Sequence, residues 1–418
     1  MFTLKDQFKL SLSTLIEWYD AMLYIALIPY LMHHLLPNSD ASQKKLIIIF
    51  LGFAAGNLVR PVGALLFGLW GDKWSKKSSY NASIMLMCLM TALIGIIPDY
   101  QTIGVYAPIL LIGIRLIQGL CCGAQFSTLL SINDQYRISE NRGVGFINGL
   151  CESISLLGHT FALLAAYLVS TLSVTPGFSG QGWRIPFIFS IFLAIWHWQW
   201  GRKIELPEDA CDNYSLLNSF SILLKNQSGL LLRNIILSVC MASIFSVVVF
   251  YSVPYMTFSL HISYGNATLI GGVILWINII TTPLFGYLSD RYSRNKQLLL
   301  SSAIIIVLSI MAMMFSDNTN GLISIFMLLA FVTAMIRGAT LPLFAKEFHK
   351  KCKCIGTNFS YTIGITIASF IPSLLACFSH KSILALAVIM VGVACLLLVT
   401  SCFIYEGNSH ECIYNESV

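Results

Sequence analysis

Charge is what this sequence has least of. Asp, Glu, Lys and Arg together make up 11% of its 418 residues, against about 25% in soluble domains. A chain so poor in charge cannot cover a water-facing surface, so lipid is its expected solvent. A nucleic-acid partner is not expected. Other absences narrow the field. No Gly-x-x-x-x-Gly-Lys-Ser/Thr segment occurs, so the phosphate-cradling loop of an ATP-driven pump is missing. No stretch reads as a soluble domain that would carry enzyme or signalling chemistry. No second Cys or His pair accompanies His349, Cys352 and Cys354, so four metal ligands are not assembled. Cys88, Cys121, Cys122, Cys151, Cys240, Cys377 and Cys395 lie in apolar runs, where Cys is an ordinary small apolar residue. No metal or other cofactor is expected. The N-terminus lacks a signal-peptide core, because its first apolar stretch contains Glu17 and Asp20. It reads as a retained transmembrane helix.

What the sequence has instead is apolar runs, with 56% hydrophobic residues. A helix needs about 20 apolar residues to span a bilayer. Such runs begin near Leu10, Lys45, Tyr80, Thr102, Val144, Trp183, Leu230, Gly265, Gln297, Gly321, Gly356 and Ile383. The reading is an all-α integral membrane protein of twelve transmembrane helices. The most polar stretch lies between the sixth and seventh runs. It divides the chain into a first six-helix half (1–200), a cytoplasmic linker (201–229), a second half (230–405) and a short cytoplasmic tail (406–418).

The two halves are one pattern written twice. Gly68-Leu69-Trp70-Gly71-Asp72-Lys73-Trp74-Ser75-Lys76-Lys77 is matched by Gly286-Tyr287-Leu288-Ser289-Asp290-Arg291-Tyr292-Ser293-Arg294-Asn295. From Gly68 to Gly286 is 218 residues, from Arg115 to Arg337 is 222, and from Gly145 to Gly364 is 219. Similar offsets at three places mark a parallel duplication. With the N-terminus inside, eighteen of the 25 Lys and Arg fall on the side of the termini. Three (Lys44, Lys45, Lys381) fall opposite, and Arg60, Arg115, Arg184 and Arg337 lie within or at the edge of spans. This bias puts both termini in the cytoplasm.

Polar residues inside the spans are the candidate site. Ser13, Glu17, Asp20 and Tyr24 form one stripe on the first helix. Acids at such depth face a cavity or a partner. Proton or substrate work is one reading of Glu17 and Asp20, and a structural ion pair with Arg60 or Arg115 is the other. In the second helix, Gly52, Gly56, Arg60, Ala64 and Gly68 recur every four residues, a small-residue seam for close packing. Arg60 interrupts it, either to hold an anionic substrate or to pair with Asp20. Arg115, Gln118, Cys122 and Gln125 share a face of the fourth helix, where Arg115 can hold a carboxylate by two parallel hydrogen bonds. Asn148, Glu152, Ser155 and His159 make a stripe on the fifth. The second half offers Arg337 as its embedded cation, with Tyr251, Tyr255, Trp276, Asn278 and Tyr361 as cavity-lining candidates. The paired turns (Gly68, Asp72, Lys73, Lys76 and Gly286, Asp290, Arg291, Arg294) read as gating elements. An acid in both copies is not needed for topology alone, but it can make contacts that form only in one conformational state.

The chain resembles the major facilitator superfamily, and within it the metabolite:proton symporters, which include proline/betaine, α-ketoglutarate, citrate and shikimate transporters. The resemblance runs from about Leu10 to Tyr405. It is carried by the turn after the second helix, by Glu17-Trp18-Tyr19-Asp20, Arg60-Pro61-Val62-Gly63 and Arg115-Leu116-Ile117-Gln118-Gly119, and by Gly182-Trp183-Arg184-Ile185-Pro186-Phe187. Ser75 and Ser293 replace a signature glycine, and Gln125 stands where many members carry an acid, a loss for which Glu152 is the candidate substitute. The resemblance places Arg115 in proton coupling. It implies a monomeric secondary transporter in the cell inner membrane, with protons, a small-molecule substrate and the lipid bilayer as partners. The leading expectation is proton-coupled symport of a carboxylate-bearing metabolite (amino acid, betaine or organic acid) by alternating access. The alternatives are an exporter or exchanger of the same fold, for a siderophore, drug or metabolite, and a non-transporting membrane sensor. The short tail lacks the coiled coil of osmosensing members, so no osmotic activation is expected.

Overall fold

The computed structural model describes residues 4–37, 42–73, 76–123, 143–172, 180–201, 223–316, 318–346, 348, 353–378 and 382–402. Among them nine helices are long and apolar enough to cross a membrane, and a tenth span is a pair of helices bent by 59°. An apolar helix of 17 residues and a broken helix complete twelve. In chain order the spans are α1 (Leu4–Ala26, continued by Ile28–His34), α2 (Lys44–Phe67), α3 (Ser78–Ile96), α4 (Tyr106–Cys122), α5 (Val144–Leu172) and α6 (Arg184–Ile188 with Ser190–Gly201). The second six are α7 (Ser228–Phe258), α8 (Tyr264–Arg291), α9 (Arg294–Met314), α10 (Thr319–Phe344), α11 (Phe359–Cys377) and α12 (Ile383–Cys402). Helices satisfy their own backbone groups, which is what apolar surroundings demand.

The bend in α1 has a local cause. Pro29 carries no N–H for the Ile25 carbonyl, and the Tyr30 N–H bonds Leu27 rather than Ala26. The Ala26 carbonyl is thereby freed, and the Tyr264 hydroxyl of α8 donates to it. Tyr30 and Tyr264 meet edge to face, 6.0 Å apart. Here the first six spans touch the last six at the end opposite the basic turns.

At the basic-turn end the same two sets of spans meet through glycine. A Cβ on Gly145 of α5 would strike the Gly286 carbonyl of α8, and one on Gly286 would strike the Gly145 carbonyl. One turn further, a Cβ on Gly149 would come within 2.9 Å of Pro283 Cα and the Thr282 carbonyl oxygen. Midway, Ser153 donates to the Ile279 carbonyl at 2.7 Å, and Thr366 of α11 donates to the Asn57 carbonyl of α2 at 2.8 Å. The small-residue seam read in α2 is realised against α4, where a Cβ on Gly56 would sit 2.8 Å from the Arg115 carbonyl oxygen. A cavity is left between the two sets of spans, with contacts at both of its ends.

Candidate transport site

Among the described residues, three acid–arginine pairs lie in the interior. On α1, Glu17 and Asp20 are three residues apart and take different partners. Glu17 meets Arg60 of α2 at 3.5 Å. Asp20 meets Arg115 of α4 at 3.4 Å. It also accepts from Gln118 Nε2 at 2.8 Å and from the Thr91 hydroxyl of α3. Arg115 donates to Gln118 Oε1 at 2.8 Å, and its guanidinium lies 4.3 Å over the Tyr24 ring. The third pair joins Glu152 of α5 to Arg337 of α10. Each of these side chains is at most 10% exposed. Of the partners weighed for Arg60, the acid it contacts is Glu17 and not Asp20.

Two of the three arginines line the cavity. Arg60 and Arg337 share its wall with Asn57 and Tyr361, and Trp18, Phe53, Phe245 and Phe250 supply aromatic faces. Phe250 comes from a π-helical segment of α7, Ser246–Tyr251. Such wide turns recur at functional sites. The Arg337 guanidinium also lies 4.3 Å over the Phe245 ring and donates to the Tyr361 hydroxyl.

The other expected residues fall elsewhere. Tyr24 is committed to the Ile49 carbonyl at 3.0 Å and to stacking under Arg115, so it supports the site from behind. Gln118 is held by Asp20 and Thr91. Tyr251 packs against Phe50 and Tyr255 and is not on the cavity wall. Asn278 is buried on the inner face of α8 and donates to Ile274 at 3.2 Å. Trp276 is corrected: it is 46% exposed on the outer side of α8. The inward face of that helix is Gly271, Ile274, Leu275, Asn278 and Thr282, and Trp276 falls between these positions. Gln125 lies outside the described residues, as do the side chains at Asp72, Lys73 and Lys76 and the surroundings of Gly68. Sequence reading missed Trp18 and Asn57, although Trp18 sits inside the motif Glu17-Trp18-Tyr19-Asp20. It also missed Phe53, Phe245 and Phe250, which carry no signal beyond that of packing residues.

In the second copy of the turn, Asp290 reaches from the end of α8 to the start of α5. Its two oxygens accept the backbone N–H groups of Gly145 at 2.9 Å and Phe146 at 3.0 Å. Arg294 holds the same carboxylate at 3.4 Å. Arg291 instead stacks 4.6 Å over the Tyr287 ring.

Comparison with known proteins agrees with this architecture. A family model described as Major Facilitator Superfamily matches residues 10–351 and 235–408. The proline/betaine transporter of Escherichia coli K12 is 26% identical over 381 residues, covering 88% of this chain and 76% of that protein. The citrate-proton symporter of Klebsiella pneumoniae is 23% identical over 358 residues, covering 84% and 80%. A crystal structure of a D-xylose-proton symporter superposes with a TM-score of 0.71 at 15% identity, covering 96% of each chain. The last likeness speaks for the fold alone. The chain belongs to the major facilitator superfamily and is a multi-pass membrane protein that works as a secondary transporter rather than an enzyme.

Proposed function

We propose that the chain carries a small carboxylate-bearing metabolite together with protons, by alternating access between residues 1–200 and 230–405, with 201–229 as linker and 406–418 as tail. The observation that carries this reading is the unmet hydrogen-bonding capacity of the cavity wall. Trp18 Nε1, Arg60 Nε and Arg337 Nε are buried and have no partner, and all three are donors. A cavity whose spare groups are donors on an aromatic wall suits an acceptor-rich anion. Buried donors left unpaired cost about 1–3 kcal/mol each, which an anionic ligand recovers. The Escherichia coli relative is a proline/betaine transporter and the Klebsiella pneumoniae relative a citrate-proton symporter, in keeping with a carboxylate.

Glu17, Asp20 and Glu152 are the proton-carrying candidates, each beside an arginine that a substrate carboxylate can satisfy when the acid is neutral. Asp290, Gly145 and Gly286 act as the gate at the basic-turn end. The charge bias makes that end cytoplasmic, with both chain termini there, in the cell inner membrane. The protein works as a monomer in lipid. Binding to purified protein tests the substrate class. A panel of amino acids, betaines and organic acids should contain the tightest ligand. Tight binding of a neutral or cationic compound, with every carboxylate ignored, would reject it.

A further inference from the structure

His159 lies near the middle of α5 and is fully buried. Neither of its ring nitrogens has a hydrogen-bond partner. Its ring stands 5.0 Å from Trp18, 5.7 Å from Phe245 and 5.6 Å from Phe250, centroid to centroid. Those three rings line the cavity, and His159 itself does not. The imidazole is therefore one layer of rings behind the cavity wall. Two buried polar atoms without partners are unfavourable. A phenylalanine would fill the same aromatic slot with no such cost, so packing alone gives no reason for histidine here.

The layer in front of His159 is built to move. Phe250 lies nearly parallel to the imidazole, at 17°, and meets Phe53 edge-on at 5.3 Å. Its backbone belongs to the π-helical segment Ser246–Tyr251, a geometry with a wider turn that recurs at functional sites. Trp18, the other ring that faces both His159 and the cavity, has its own Nε1 donor unpartnered. Two polar groups without partners thus meet at one patch of the wall.

Resting on the carboxylate reading above, we propose that His159 is a second binding subsite, uncovered when the Phe250 ring turns aside, and that it takes a hydroxyl group of the substrate while Arg60 and Arg337 hold the carboxylate. No carboxylate pairs with His159 among the described residues, and an imidazolium there would be an uncompensated buried charge. The ring is therefore neutral, with one N–H donor and one bare acceptor nitrogen. A hydroxyl both donates and accepts, so it can serve either nitrogen or the Trp18 N–H. A quaternary ammonium offers neither a donor nor an acceptor. A primary ammonium would want an acid, and among the described residues no acid lines the cavity. The substrate class that uses every spare group is a hydroxycarboxylate.

The test is calorimetric titration of purified full-length protein with carboxylates that differ by one hydroxyl: lactate against propionate, citrate against tricarballylate, carnitine against γ-butyrobetaine, and 4-hydroxyproline against proline. The wild type should bind the hydroxylated member of at least one pair about tenfold or more tightly than its partner, because that partner leaves the buried nitrogens unpaired. His159→Phe keeps a ring in place and removes both nitrogens. It should bring that ratio to near one, with a melting temperature at or above the wild-type value. His159→Gln keeps a donor and an acceptor and should retain part of the preference. A preference that survives intact in His159→Phe overturns the subsite, because the hydroxyl is then read elsewhere. Wild-type ratios near one in every pair overturn the subsite while sparing the carboxylate reading. Failure of the wild type to bind any member of any pair overturns both. If His159→Phe does not fold, His159→Leu is read in the same way. If neither folds, the wild-type ratios decide, and ratios near one reject the subsite.

Discussion

Asp290 caps α5 from the far side of the molecule. Its carboxylate accepts the Gly145 and Phe146 N–H groups at 2.9 and 3.0 Å, two of the donors that the start of a helix leaves without an intrahelical partner. The positive end of the α5 dipole adds to the attraction. The bond joins an α8 residue to an α5 residue, so it exists only while these helix ends are together. It therefore weights one conformational state against the others.

Asp290→Asn keeps one acceptor oxygen and loses the charge. The capped state should weaken by about 1–2 kcal/mol, a shift of roughly 5–30-fold in the closed-to-open ratio. Faster hydrogen–deuterium exchange across residues 143–150, with substrate affinity little changed, is the expected outcome. Loss of binding with normal exchange would place Asp290 in the site instead.

Gly145→Ala and Gly286→Ala test the seam. Alanine in a helix is intrinsically better than glycine by about 0.5–1 kcal/mol, so propensity alone forecasts a benign change. Here each added Cβ meets a backbone carbonyl of the facing helix. Transport should fall at least about tenfold, since even 1.4 kcal/mol against closure has that effect, with expression and binding retained. Wild-type turnover in both variants would show that the seam does not need to close.

Asp20 and Arg115 are tied into a network with Gln118 and Thr91. Asp20→Asn removes the titrating charge and keeps the shape. It should abolish accumulation driven by a pH gradient and leave substrate-for-substrate exchange measurable. Arg115→Lys should impair both, because a point ammonium cannot stack on Tyr24 and serve Gln118 and Asp20 from one plane. Full activity of Arg115→Lys would refute that role.

Asp99 and Arg184 form a clasp between α3 and α6. Arg184 donates to Asp99 at 2.5 Å and to the Gly95 and Ile97 carbonyls at 3.0 and 2.5 Å, covering the end of α3. Burial works against the Asp99 carboxylate, but the hydrogen bond from Gln181, together with His34 and Arg184, holds its pKa below the usual aspartate value. A carboxyl depressed in the folded state contributes stability above its unfolded value, near 3.9. That contribution is lost as pH falls through the folded value. The Asp99→Asn variant should melt below the wild type by a constant margin at pH 7 and above, where His34, 3.5 Å from Asp99, is neutral. The margin should shrink below about pH 4, where the wild-type carboxylate begins to protonate. It should also be small, because the partly exposed pair is screened. A margin independent of pH down to 3 would contradict this assignment.

Much of the architecture was legible before any coordinates. Apolar run length gave the spans, and the offset of about 220 residues gave the duplication. Depth in an apolar run singled out Glu17, Asp20, Arg60, Arg115, Glu152 and Arg337, because lipid makes an idle charge costly. Pairing was not legible. Glu17 and Asp20 share a helix stripe, and their separation onto Arg60 and Arg115 depends on how α2 and α4 are rotated. Glu152 and Arg337 belong to different halves, and no local pattern links them. Cavity aromatics were the weakest reading. Trp276 and Phe250 look alike as sequence, yet one faces outward and the other lines the cavity, a difference fixed by helix rotation and by the π-helical turn in α7.

The central claim is carboxylate transport coupled to protons, and proteoliposomes containing the purified chain test it most directly. With an inward-directed proton gradient and a labelled metabolite panel, a carboxylate-bearing compound should accumulate against its own gradient. A protonophore should collapse that accumulation, and Glu152→Gln should lack it while retaining exchange. Accumulation of a neutral or cationic compound in its place, uptake indifferent to the proton gradient, or proton-driven movement in the opposite direction would contradict the account.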